Sequence, residues 1–186
     1  MMRHQSMEQL KTDRLLLRKL RREDAALYYK RLGSSEAVTR YMLWTPHKEM
    51  AESVASIEKA LRRYEEGECY RWGVALQSDD TIIGVVELLK FDKARSSCSF
   101  AYMLAEEFWG KGYGTEALSA ALNFAFEKLE VNLVEADYFA DNEASGAVMR
   151  RVGMKYVTTQ VGKYEKNGVK YDAPVYRITR DMWENS

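Results

Sequence analysis

Tyr102-Met-Leu-Ala-Glu-Glu-Phe-Trp-Gly-Lys-Gly-Tyr-Gly-Thr115 joins a strand pattern to a helix pattern through three glycines. Upstream, Ser97 to Leu104 alternates, with Cys98, Phe100, Tyr102 and Leu104 on one face, as a half-buried strand does. Downstream, Thr115 to Leu129 sets Leu118, Ala121, Leu122, Ala125 and Leu129 along one face of an amphipathic helix. Gly110, Gly112 and Gly114 let the backbone turn sharply and bring successive N–H groups together. At a helix N-terminus such amides lack carbonyl partners and sit at the positive end of the dipole, which makes an anion site. The Gly-x-Gly-x-Gly spacing is not the dinucleotide fingerprint, and Lys111 followed by Gly112 is not a P-loop. Taken alone, such a segment is more often just a tight strand-to-helix connection.

Working outward, Arg14 to Leu20 reads as a first strand and Glu23 to Leu32 as a short helix. A second helix is expected to begin at Thr45-Pro46, with threonine as N-cap and proline at the first helical position. Its apolar stripe would be Met50, Val54, Ile57, Leu61 and Tyr64, and Gly67 ends it. Trp72, Val74 and Leu76 alternate ahead of a Ser78-Asp79-Asp80 turn, and Ile82 to Phe91 is apolar on both parities, as a central strand is. Beyond the glycine loop come a strand at Val131 to Ala140, a helix at Glu143 to Val152 stopped by Gly153, and a hairpin turning at Asn167-Gly168. Pro174 places a break, bulge or edge position in the last strand. The predicted fold is α+β, a mixed central sheet with helices on both faces, in a single domain from residue 11 to 186 behind a flexible tail at 1–10.

Composition narrows the chemistry. In 186 residues, 28 basic side chains balance 28 acidic ones, which speaks against a general nucleic-acid or anionic-membrane binder. No apolar run is long enough to span a bilayer, and the polar N-terminus has no secretory h-region. Cys69 and Cys98 have neither metal-ligand spacing nor a disulfide framework, and only His4 and His47 are present. No metal site is expected, and a cytoplasmic location is. Without a histidine partner the cysteines read as inert.

The chain resembles the GCN5-related N-acetyltransferases (GNAT), in the branch similar to the ribosomal-protein N-terminal acetyltransferases. The resemblance runs from about Lys11 to Trp183 and rests on Arg14-Leu-Leu-Leu-Arg18, Ile83-Gly84, Trp109-Gly-Lys-Gly-Tyr-Gly-Thr-Glu-Ala-Leu118, Asn142-Glu-Ala-Ser145 and Gly153-Met154. It implies acetyl-coenzyme A as co-substrate, with its pyrophosphate on the loop amides of Gly110, Lys111, Gly112, Tyr113, Gly114 and Thr115 and a coenzyme contact from Trp109. It implies further coenzyme contacts from Met103, Leu104, Asn142 and Ser145, and a backbone oxyanion donor at Met103–Leu104. Three positions depart from the family pattern: Trp109 opens the loop, Met154 replaces a phenylalanine, and Met149 stands where many members carry a tyrosine acid.

Acetyl transfer to an amine needs a neutral nucleophile, a stabilised oxyanion and a proton for the departing thiolate. Glu87 is the sharpest base candidate, because it shares strand parity with Ile83, Val85, Leu89 and Phe91, and apolar burial would favour proton uptake. An arginine-paired structural carboxylate and a water chain stand beside that reading. Ser145 is the acid candidate, against a role in helix capping, and Asn142 is either N-cap or pantetheine ligand. Glu135 and Asp137 share a face that is solvated or binds the substrate ammonium. Tyr41, Trp44 and Tyr70 are candidates for an acceptor pocket or for the core, and Asp172 for an acceptor or structural contact. The acceptor is a primary amine, a protein N-terminus or else a polyamine, amino acid or aminoglycoside; a non-catalytic acyl-coenzyme A binding module is the remaining alternative. Monomer and homodimer both stay open.

Overall fold

The computed structural model describes residues 6–67 and 69–185, so His4 lies outside the described residues. Strands β1 (Leu10–Lys11) and β2 (Leu15–Arg18) come first. A 3₁₀ turn at Arg22–Asp24 then leads into α1 (Ala25–Tyr28), which runs on through a π-helical turn at Tyr29–Gly33. After α2 (Glu36–Thr39) and α3 (Met50–Glu65) comes a meander of β3 (Tyr70–Leu76), β4 (Ile82–Asp92) and β5 (Ser97–Leu104). The second half holds α4 (Tyr113–Glu127), β6 (Leu133–Asp137), α5 (Glu143–Arg151), β7 (Lys155–Lys166), β8 (Val169–Thr179) and α6 (Arg180–Glu184).

The strands form one sheet in the order β1-β2-β3-β4-β5-β6-β8-β7. Every neighbour is antiparallel except β5 and β6, which run parallel and pair only at Ser97↔Leu133 and Cys98↔Val134. Beyond Cys98 the two strands diverge, and the sheet opens into a V. One face packs α4 against Leu15, Leu17, Trp72, Val74, Val86, Leu88 and Phe100. The other face carries α1 and α3 over Leu20, Ile57, Ile82, Val85 and Met103. This is the mixed α+β architecture expected, with helices on both faces. The tail nearest the domain is tied down, since Met7 packs on the first core and Glu8 C=O accepts from Trp72 Nε1 at 2.7 Å.

Several local expectations change. Helix α3 starts at Met50, capped by Glu49 with a reciprocal bond from Glu52, and not at Thr45-Pro46. His47 N–H is already bound to Gly33 C=O at 2.8 Å, which holds that stretch in a non-helical path. The buried stripe is Ser53, Ile57 and Ala60, while Met50 is 51% and Val54 37% exposed. The parity assigned to β4 also breaks. A bulge between Ile82 and Gly84 turns Ile83 toward the α4 side, and a second irregularity between Leu89 and Asp92 leaves Phe91 there too. Glu87 therefore shares a face with Val85 but not with Ile83 or Phe91. Pro174 lies inside β8, just past the last β6 partner Val175, where no ladder bond is required of it.

Beside the bulge sits a buried charge cluster. Arg18, 4% exposed, donates to both oxygens of Asp24 at 2.8 and 2.9 Å and to Asp80 at 2.6 Å. Burial opposes the Arg18 charge, but its bonds to Asp24 and Asp80 outweigh that and raise its pKa. Removing one partner strands a guanidinium in the interior. Asp24→Ala is expected to lower unfolding free energy by about 3–5 kcal/mol in urea melts at neutral pH. At Asp80, burial resists ionisation but the Arg18 and Arg21 bonds prevail, so its pKa is lowered from 3.8. Its contribution is thus complete above about pH 4 and is lost as pH falls through the depressed value. Asp80→Asn should accordingly flatten the acid limb of a stability-versus-pH curve without moving the neutral plateau upward.

Candidate active site

The V between β5 and β6 is a cleft of about 590 Å³. Its walls bring together Tyr102, Met103 and Leu104, the loop from Trp109 to Thr115, and Asn142 and Ser145 at the start of α5. Of the residues expected to hold the coenzyme, only Lys111 is absent from the lining. Its ammonium turns back to Glu107 C=O at 2.7 Å.

Each wall follows from local backbone chemistry. Ala105 N–H donates to Ile83 C=O at 2.8 Å, so the alternation of an antiparallel strand points Leu104 N–H the other way, into the V. The Leu104 carbonyl on that same edge accepts from Trp109 Nε1 at 2.7 Å, which staples the loop to the strand end. Gly84 lets β4 approach: a Cβ there would stand 2.4 Å from Met103 O. In the loop, Gly110 and Gly112 have φ of 70° and 82°, and Gly112 is the N-cap of α4. The N–H groups of the first turn have no carbonyl one turn back to bind. Thr115 Oγ1 is buried there without a partner. Arg14 lies over the Tyr113 ring at 4.3 Å, bonds Lys111 C=O and pairs with Glu116, which braces the loop against the start of α4.

At the far wall Asn142 is the N-cap of α5, accepting from Ser145 N–H at 3.3 Å. Its amide also donates to Ser145 Oγ at 3.0 Å. Tyr102 Oη donates to the same oxygen at 3.3 Å. The Ser145 hydroxyl thus accepts twice, and it is not itself the cap. Burial, partly offset by the Ser145 bond, raises the Tyr102 pKa and keeps its proton on. Met149, four residues along, is 2% exposed and belongs to the core.

A second cavity of about 320 Å³ opens on the opposite face, between α1, α3 and the sheet, and shares Met103 with the cleft. Glu87 lines it, but not in the apolar surroundings expected. Arg63 Nη1 meets its carboxylate at 2.9 Å and Arg71 Nη1 stands 4.0 Å away. Trp44 lines this cavity and Tyr41 the coenzyme cleft. Lys166 fixes the strip that carries both, donating to the carbonyls of Thr39 at 2.7 Å and Met42 at 2.8 Å. Tyr70 instead packs in the core against Trp72, Phe91 and Phe124. Glu135 is bound by Arg177, Asp137 by Lys163 and Tyr164, and Asp172 by Gly162 N–H, so each is spent on structure. Burial raises both cysteine pKa values, Cys98 to about 12. Among the described residues no cluster of metal-ligating side chains occurs, and no helix is long and apolar enough to cross a membrane.

Sequence reasoning missed Tyr102 as a site residue by reading it as core, although a tyrosine two positions before the end of a site-forming strand is a usable signal. Arg71, Lys59 and His47 carry no local signal; α3 and β3 bring them together only in the folded chain.

A cleft in a splayed sheet, floored by an unpaired strand amide and closed by a glycine-rich helix N-terminus, defines an acyl-coenzyme A-dependent transferase. Residues 14–155 match the acetyltransferase (GNAT) domain model, and the chain belongs to that family. It is 26% identical over 171 residues to the uncharacterized N-acetyltransferase YoaA of Bacillus subtilis, covering 92% of this chain and 96% of that one. It is also 26% identical over 184 residues to the [ribosomal protein uS5]-alanine N-acetyltransferase of Escherichia coli, covering 95% and 86%. The solved spermidine N-acetyltransferase of Vibrio cholerae, in complex with CoA and spermine, superimposes with a TM-score of 0.80 at 21% identity, covering 94% of this chain and 100% of that one. The protein is an acetyl-coenzyme A-dependent N-acetyltransferase.

The residues present fit that co-substrate. The free first-turn amides and the orphaned Thr115 hydroxyl are a ready set for a pyrophosphate. Gly112→Asp places a carboxylate and a strained positive φ at the centre of that set. It is expected to weaken acetyl-coenzyme A binding more than tenfold by isothermal titration. Gly110→Ala, whose added Cβ would meet nothing within 4 Å, should cost only about 1 kcal/mol of stability and serves as the control for backbone strain. Equal affinity in wild type and Gly112→Asp would remove the anion-site assignment.

Proposed function

We propose that the chain acetylates the α-amine of a protein N-terminus, presented from the second cavity to the coenzyme cleft. The observation that carries the reading is the meeting of the two cavities at Met103, beside the Leu104 N–H that no strand pairs. Bound acetyl-coenzyme A supplies a thioester-activated acetyl group. The Leu104 amide is the donor for negative charge developing on the acyl oxygen, fixed in advance by the strand and the Trp109 staple. Gly110 to Thr115 hold the diphosphate, and Asn142 orients the arm that leads from it. The relatedness to a ribosomal-protein alanine acetyltransferase supports a peptide acceptor over a polyamine.

Proton handling follows from the bonds on each side. Ser145 Oγ accepts from Asn142 and Tyr102, so its own hydrogen is left to point into the cleft and protonate the sulfur. Tyr102, held protonated by burial, keeps its hydrogen bond to that oxygen, and solvent entering the cleft returns the Ser145 proton. On the acceptor side Glu87, steadied by Arg63, anchors the incoming ammonium, whose proton passes to water.

A thiol-release assay across peptides, polyamines, amino acids and aminoglycosides tests the acceptor: peptide N-termini should give the highest kcat/KM, and an exclusive preference for a small amine would replace this reading. Ser145→Ala is expected to lower kcat on the order of a hundredfold, with Tyr102→Phe about tenfold, while thermal melts move little. If Ser145→Ala keeps its rate per folded molecule, solvent is the proton source. Glu87→Gln should lower kcat/KM on the order of a hundredfold and leave acetyl-coenzyme A affinity unchanged. Near-wild-type turnover in that variant would assign the carboxylate to structure alone.

A further inference from the structure

The lining of the second cavity has an excess of positive charge. Lys59, Arg63 and Arg71 face it, and Glu87 is the single carboxylate among the lining residues. Glu87 is shared between Arg63 at 2.9 Å and Arg71 at 4.0 Å. Arg71 spends Nη2 on the Tyr28 hydroxyl at 2.9 Å, and its Nε is buried without a partner. Lys59 is exposed at the wall and makes no ion pair among the described residues. At the mouth Trp44 and His47 lie with ring centroids 4.9 Å apart, and the His47 Nδ1 is taken by Ser53 Oγ at 2.7 Å.

This arrangement discriminates among amines. A polycation brought next to Glu87 gains one shared carboxylate and meets Arg71 and Lys59, beside which no second carboxylate lines the cavity among the described residues. An acceptor bearing both an ammonium and an anion fits both signs. Its amine goes to Glu87, facing Met103 and the cleft, and its anion to Arg71 and Lys59. The low volume sets the distance, since about 320 Å³ holds little more than one or two residues. We infer that the acceptor carries an anionic group within a few bonds of the amine that is acetylated, and that Arg71 and Lys59 select for it. The inference rests on the acetyl-transfer reading above and narrows it. The same chemistry is offered by a peptide N-terminus with an acidic second residue and by a free acidic amino acid.

Thiol release at saturating acetyl-coenzyme A distinguishes these. Three peptides identical except for Asp, Gln or Lys at the second position are compared with free aspartate and with spermidine. The Asp peptide is expected to exceed the Lys peptide in kcat/KM by about tenfold or more, with the gap shrinking as ionic strength rises from about 20 to about 300 mM. Lys59→Glu, on an exposed helix position, should close most of the gap while acetyl-coenzyme A affinity, read by titration, stays unchanged. Arg71→Gln should act in the same direction, with a thermal melt checking its fold. Free aspartate outrunning every peptide would identify the source as a small molecule and keep the anion selection. A Lys peptide or spermidine turned over as well as the Asp peptide would overturn the inference and leave acetyl transfer standing. Binding of acetyl-coenzyme A with no acceptor turned over would overturn both.

Discussion

Beyond Cys98 strand β5 has no neighbour on the β6 side, and a strand edge inside a protein leaves backbone donors and acceptors to be satisfied. The chain meets that obligation selectively. The Leu104 carbonyl is given the Trp109 indole N–H, and the Leu104 amide is left for something else. Filling the V with another strand would satisfy both and abolish the cleft. The divergence shows in how little β6 shares with β5: two paired positions, whereas all five of its residues pair with β8 on the other edge. The glycine loop is usable because of this opening. The same loop beside a closed sheet would be a tight turn and nothing more.

The two cavities lie on opposite faces of β5 and meet only at its end. Tyr102 and Leu104 belong to the α4 side, Met103 to the α1–α3 side. This is the period-two alternation of a strand, and on the proposed reading it gives each substrate its own face. The cover over both is a single strip, residues 37 to 44, held by one lysine. Lys166, from the tip of the β7–β8 hairpin, is bound to four carbonyls of that strip, at Thr39, Arg40, Met42 and Trp44. Burial lowers its pKa, yet the convergence of carbonyls gives its charge a use. The Asn167-Gly168 turn, with both residues at positive φ, is what lets the hairpin present Lys166 there.

What the sequence made legible is local or periodic. Ser97–Leu104 was read to the residue and the hairpin turn was placed, since each rests on alternation or on glycine chemistry, while the short β1, α2 and α6 went unread. The misreadings share a cause in tertiary contacts that outweigh local preference. Thr45-Pro46 has good helix-start chemistry, but the strip around it is occupied by Lys166 and Gly33. The α3 stripe was drawn through Met50 and Val54, whereas the helix turns Ser53 inward to meet His47. Parity along β4 failed at a bulge that no single residue announces, although Gly84, which has to be glycine for β5 to pass, stands beside it.

The site was legible in proportion to how much of it is backbone. The loop, Leu104 and Asn142 shape the cleft through amides or caps, and their spacing along the chain encodes them. Glu87 was found by an argument that the structure replaces, because a guanidinium stands where apolar walls were expected. That replacement changes what the residue is suited to. A desolvated carboxylate serves as a strong base. One shared between two arginines serves instead as the fixed negative point of a cationic pocket, able to bind an ammonium without letting it sink into the charge around it. The second cavity is therefore written in long-range pairs, β3 against β4 and α3 over both, and not in the motif that identifies the family.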